Sequence, residues 1–166
     1  MVPRKSGNSV SRPGSNAPFS GGKFTTWEGG IRMPFMMKWP GRIRAGQVYE
    51  QPVSTLDILP TVAAACGVPT DASLPLDGVN LLPYLRGEKD APPHERLYWR
   101  FGAQAAMRQG DYKLLIQADE KPQLFNLADD VAEKKDLAAA RPELLEKMHA
   151  AWKSWDAELA KPLWAG

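Results

Sequence analysis

The period of the hydrophobic pattern changes near residue 96, and that change constrains the fold more than any other feature. "RLYWRFG", "AAMRQGDYKLLIQ" and "QLFNLADD" are short runs rich in aromatic and branched residues, punctuated by Gly110-Asp111 and "ADEKP". Runs of this kind divided by turn formers read as the strands of an antiparallel meander. After Ala140 the period lengthens. In "ARPELLEKMHAAWKSWDAELAKPLW", Leu144, Leu145, Met148, Ala151, Trp152, Trp155 and Leu159 fall on one apolar stripe, and Pro142 stands near its start, where a missing N–H is no loss. Such a helix has one face to bury and a meander to bury it against. Residues 96–166 are therefore expected to form an α+β unit, a small antiparallel sheet packed by a long C-terminal helix.

The front of the chain does not close on itself in this way. Residues 1–20 are polar and rich in Gly, Ser and Pro, which predicts a flexible segment. "IRMPFMMKWPG" predicts a short buried strand leaving a Gly29-Gly30 turn, and a second extended piece is expected near Val48 to Val53. In "STLDILPTVAAACG", Ser54 and Asp57 resemble a capping pair. Leu56, Leu59, Val62, Ala63 and Cys66 follow at helical spacing, Pro60 falls in the first turn, and Gly67 is a natural stop. A strand such as Phe35-Met36-Met37, apolar on both faces, belongs inside a larger covered sheet. Residues 21–67 thus read as a remnant of a larger α/β domain. Residues 68–95 read as connecting loops with one helical turn in "LDGVNLLPYL".

Composition narrows the function classes. A chain of 166 residues, 43% hydrophobic, can bury one core. Its 21 basic and 19 acidic residues leave a net charge of +2, with no basic block to suggest a nucleic acid or an anionic membrane. No apolar run approaches the ~20 residues of a membrane span. The single cysteine, Cys66, excludes an internal disulfide and leaves the compartment open.

The chemistry concentrates in "GGKFTTWEGGIRMP", Gly21 to Pro34. Glycines permit close backbone approach, and a lysine beside such a turn can deliver a compact ammonium to an anion. Lys23 is therefore the candidate anion contact. Glu28, Gly29, Gly30 and Arg32 are expected to shape its surroundings: Glu28 by anchoring the turn through backbone amides, Arg32 by pairing with a buried carboxylate, the glycines by backbone form. Asp57 reads as a helix-start carboxylate.

This block, followed by "PVSTLDILPTVAAACGVP", "LDGVNLLPYLRG" and "MRQGDYKLLIQ...PQLFNLADDVAEKKDLA", resembles the C-terminal part of a sulfatase of the arylsulfatase type. The resemblance runs from about Ser15 to Trp155 and implies a truncated α/β parent fold of the alkaline-phosphatase-like kind. It implies hydrolysis of sulfate monoesters by a formylglycine nucleophile beside a bound calcium, with Lys23 at the position that contacts the sulfate oxygens. It also implies a periplasmic or extracellular parent enzyme. Asn126 and Val131 depart from the family's usual acid and proline.

Other reactive side chains fit that chemistry poorly. In "CGVPT", Cys66 has its proline three residues on and no arginine at the required place, so it is expected to be a small buried thiol and not the nucleophile. His94 and His149 lack metal spacing, and "ADDVAE" (Ala128 to Glu133) lacks the central glycine of a calcium loop, which suggests a solvated helix start. The resemblance places the nucleophile, calcium carboxylates and histidine acid before this segment, so no metal site is expected within it. By itself the chain is expected to be inactive, with self-association through its exposed front. A phosphomonoester or phosphonate hydrolase of the same superfamily, or a non-catalytic remnant or binding module, stays open.

Overall fold

A computed structural model describes residues 14–161; residues 1–13, most of the segment expected to be flexible, and 162–166 lie outside it. Four antiparallel strands, β1 (Arg96–Phe101), β2 (Gln104–Gln109), β3 (Tyr112–Ile116) and β4 (Gln123–Asn126), lie side by side in chain order. The expected meander forms. Gly102 and Gly110, with φ of 56° and 57°, open the tight links that join the first three strands.

Register sorts the side chains onto two faces. Met107, Leu114 and Leu124 stand opposite one another on the first, and α4 (Pro142–Ala157) covers them with the fully buried Met148, flanked by Leu144, Leu145, Ala151 and Trp152. Trp155 stacks on Tyr98 with ring centroids 4.7 Å apart, and Arg100 holds Asp156 at 2.6 Å. Burying each of these large apolar side chains contributes about 1.5–3 kcal/mol. The second face carries Ala106, Leu115 and Phe125, and it too is covered. Its cover is not a helix but the glycine-rich segment near residue 27, whose Trp27 ring sits 5.7 Å from that of Phe125.

Between that segment and the sheet the regular elements are short. A single turn, α1 (Glu28–Ile31), ends the glycine-rich stretch. A 3-10 turn over Thr55–Asp57 runs into α2 (Ile58–Ala65), and α3 (Leu82–Leu85) supplies the turn expected in "LDGVNLLPYL". The capping pair is real: Leu56 N–H donates to Ser54 Oγ at 3.2 Å and Ser54 N–H to Asp57 Oδ2 at 2.7 Å. Gly67, at φ 68°, ends α2.

Three expectations fail. Neither 31–41 nor 48–53 forms a strand, and Met33, Phe35 and Met36 are exposed. An extended segment becomes a strand only by bonding a neighbour, and Pro34 and Pro40 cannot donate in any case. Cys66 is exposed, not buried. Helix α2 buries Pro60 and Thr61 while Leu56, Leu59 and Val62 of the expected apolar stripe stay exposed. The helix is turned by its polar ties: Leu81 N–H donates to Thr61 Oγ1 at 2.9 Å and Val79 N–H to Asp57 Oδ1 at 2.8 Å.

Candidate functional site

The segment 20–31 is built by backbone closure on itself. Gly29 N–H donates to the Ser20 carbonyl at 2.7 Å, and Thr25 Oγ1 donates to the Gly22 carbonyl at 2.7 Å. Asn16 Nδ2 donates to the Gly29 carbonyl at 3.1 Å, so residues expected to be flexible take part in the fold. Neither Gly29 nor Gly30 has a positive φ. They are required because a Cβ on Gly29 would lie 2.5 Å from the Ser20 oxygen and one on Gly30 would strike the Thr25 oxygen. Backbone form was the expected reason for these glycines. The mechanism is close approach within α1, not a strand-leading turn.

Lys23 stands exposed on this loop, with Nζ 4.9 Å from the centroid of the Phe24 ring. Phe24 itself takes φ 70°, costly for a residue with a Cβ, and stacks on Phe101 at 6.0 Å. The Lys23 side chain is thus exposed, while its neighbour Phe24 and the base of the loop are held.

The base is held by charge. Lys113, fully buried on the second face of the sheet, places Nζ 2.9 Å from Glu28 Oε1 and 2.7 Å from Glu133 Oε1. The contact to Glu28 is a hydrogen bond; the one to Glu133 Oε1 is an ion pair without hydrogen-bond alignment. Glu133 Oε2 accepts the Glu28 backbone N–H at 2.8 Å. Arg32, as expected, pairs with a buried carboxylate, Glu28 Oε2 at 3.6 Å. Glu28 was expected to bind backbone amides with its own carboxylate; instead it offers its amide to Glu133 and its carboxylate to Lys113. Burial pushes the Glu133 carboxyl above the usual glutamate range, with Lys113 and the Glu28 amide pulling it partly back. Arg108, opposite Lys113 in register, is pushed down, chiefly by burial.

Lys113 and Glu133 are not among the residues that the sequence pattern marks. A signal existed for the first: in "DYKLLIQ", Lys113 shares a strand face with Leu115, and a lysine on a covered face needs a carboxylate. For Glu133 the sequence pattern of "ADDVAE" predicts a solvated helix start. No helix begins there; Glu133 adopts φ 54° and turns its carboxylate inward.

Asp57 and His94 form a separate pair, with Nε2 2.9 Å from each carboxylate oxygen. His149 is half-buried on α4, where burial and Lys153 push its imidazole down. Among the described residues no group of three His, Cys, Asp or Glu side chains could hold a metal ion, and no helix is long and apolar enough to cross a membrane.

Residues 22–155 match the family model described as N-sulphoglucosamine sulphohydrolase, C-terminal. Steryl-sulfatase of Homo sapiens is 45% identical over 85 residues, covering 51% of this chain and 15% of that protein. Arylsulfatase A of Homo sapiens is 32% identical over 170 residues, covering 84% of this chain and 33% of that protein. The crystal structure of Ps i-CgsB superposes with a TM-score of 0.81 at 32% identity, over 90% of this chain and 34% of that one. The chain therefore spans about a third, or less, of the length of these relatives. The four-stranded sheet with its covering helix is that of a sulfatase C-terminal region, and the chain belongs to the sulfatase family.

Proposed function

We propose that this chain is the C-terminal part of a sulfatase that hydrolyses sulfate monoesters, in which Lys23 contacts the sulfate group. The observation that carries the reading is the contrast within one loop: Lys23 is exposed while residues around it are tied down. An ammonium on a fixed base stabilises charge shifting over the sulfate and the departing oxygen without reorganising in the transition state. It cannot attack sulfur. Glu28, Gly29, Gly30 and Arg32 serve the loop and not the substrate.

The formylglycine and calcium that the family implies do not fit residues of this chain. Cys66 is exposed at the end of α2 and is followed by Gly67-Val68-Pro69, with no arginine in place. No described cluster offers three metal ligands. Both groups are assigned to the part of the enzyme outside this chain, and the 166 residues alone are expected to be inactive. Within that enzyme, residues 21–67 belong to the catalytic domain, 68–95 connect, and 96–166 form the C-terminal subdomain. The parent is read as periplasmic or extracellular.

The test is kinetic. In the sulfatase of which this segment is part, Lys23→Ala should lower turnover of an aryl sulfate roughly 10²–10³-fold. Lys23→Arg should restore only part of it, because the planar guanidinium is larger and differently directed. Wild-type kinetics in the alanine variant would remove Lys23 from the site.

A further inference from the structure

The loop that carries Lys23 is fastened to parts of the chain remote in sequence, and the fasteners converge. Ser20 Oγ donates to the Ala132 carbonyl at 2.6 Å, and Glu28 N–H to the neighbouring Glu133 carboxylate. Gln117 Nε2 donates to Thr26 Oγ1 at 3.2 Å. Lys113 lies at the centre. Without its ammonium the carboxylates of Glu28 and Glu133 would face each other buried and of like charge, which works against the hydrogen bond from the Glu28 N–H to Glu133 Oε2.

We infer that Lys113, held between Glu28 and Glu133, is a positioning residue for Lys23: the C-terminal sheet sets where the sulfate-contacting ammonium stands. The inference rests on the reading of Lys23 given above. Its geometry does not depend on surfaces left open in this chain, since Lys113 is fully buried and Glu28 and Glu133 are nearly so. The triad also stands outside the α4-side core of Met107, Leu114, Leu124 and Met148, so its loss falls on the loop rather than on the packing beneath the helix. A displacement of the order of 1 Å at a charge-stabilising group costs about a hundredfold in rate.

The experiment is a double-mutant cycle in the sulfatase of which this segment is part. Lys113→Met is expected to lower kcat for an aryl sulfate about ten- to a hundredfold with KM nearly unchanged. In a Lys23→Ala background the same substitution should cost little more, because there is no ammonium left to misplace. Full multiplication of the two losses would overturn the positioning role and leave Lys23 standing. Glu133→Gln keeps the side-chain size but loses the charge and one of the two acceptor oxygens that face Lys113 and the Glu28 amide, so it should show the same coupling at smaller amplitude even if Lys113→Met fails to fold. Should Lys23→Ala prove silent, the parent reading of Lys23 fails instead. Hydrogen exchange on the 166-residue chain then judges the fastening alone. Faster exchange in Glu133→Gln confined to the Glu28 and Gly29 amides supports it, and equal acceleration through β2 and β3 overturns it.

Discussion

His94 Nε2 lies 2.9 Å from both carboxylate oxygens of Asp57, and Asp57 is fully buried. Each oxygen also serves a backbone amide: Oδ2 accepts from Ser54 N–H and Oδ1 from Val79 N–H. One carboxylate thus joins the start of α2, the chain ahead of α3 and the residues leading into β1. An asparagine in its place has a single carbonyl oxygen and must leave one of the two amides without an acceptor. Asp57→Asn should therefore cost about 1–3 kcal/mol, the penalty of an unmet buried donor. Asp57→Ala, which abandons both amides and the imidazole, should cost more. Urea melts of the two variants decide it, and a midpoint equal to wild type for Asp57→Ala would show that the carboxylate ties nothing.

Close approach at Gly29 and Gly30 yields a second expectation. The atoms nearest a new Cβ include the carbonyl oxygens of Ser20, Gly21, Gly22 and Thr25, which are backbone and cannot swing aside. Gly29→Ala and Gly30→Ala should each destabilise by roughly 1–3 kcal/mol, the range for overpacking a close-packed site. The loss should appear as a lower Tm together with reduced Trp27 burial, read by fluorescence. A Tm within error of wild type would mean that the loop has room that its geometry denies.

Glu133 sets a pH dependence whose sign follows from burial. Its carboxyl is raised above the ordinary value of 4.5, chiefly by desolvation. An acid raised in this way binds its proton more tightly folded than unfolded, so its contribution to stability is fully present below 4.5 and is lost as pH rises through the higher folded value. Glu133→Gln removes the contribution. The stability of wild type relative to Glu133→Gln should therefore fall as pH is raised from about 4 to 7. Paired thermal melts across that range test it; a difference that grows with pH would contradict the raised carboxyl.

The C-terminal unit was legible because its constraints are local. Strands β1 to β3 are joined by links that begin with a glycine, and α4 carries its stripe on one face from Leu144 to Trp155. The expected Leu159 lies past the helix end and is exposed, so period and turn chemistry determined most of both. The site was legible only in part. Lys23 and its glycines announce themselves within fourteen residues, but Lys113 and Glu133 reach Glu28 across 85 and 105 residues of chain, and no spacing rule spans such a gap. The front strands failed for the opposite reason. "IRMPFMMKWPG" has the composition of a buried strand, yet composition cannot supply the neighbour that a strand must bond.

That missing neighbour yields the last expectation. Residues 28–32 carry a run of amides bonded to Glu133, Ser20, Trp27 and Glu28, and they stand on the same base as the sheet. From Met33 onward the chain loses that support. Met33, Phe35, Met36, Leu56, Leu59 and Val62 are exposed, and each large apolar side chain left in water forgoes about 1.5–3 kcal/mol of burial. Hydrogen exchange on the 166-residue chain should show slow amides through β1 to β4, α4 and residues 28–32, and fast amides through 33–38 and 44–53. The same exposed side chains should draw copies together. Sedimentation should show self-association that rises with concentration and weakens in the double variant Met36→Lys/Leu59→Lys. A strictly monomeric chain with uniformly slow exchange would mean that the front segment finds a cover within its own length.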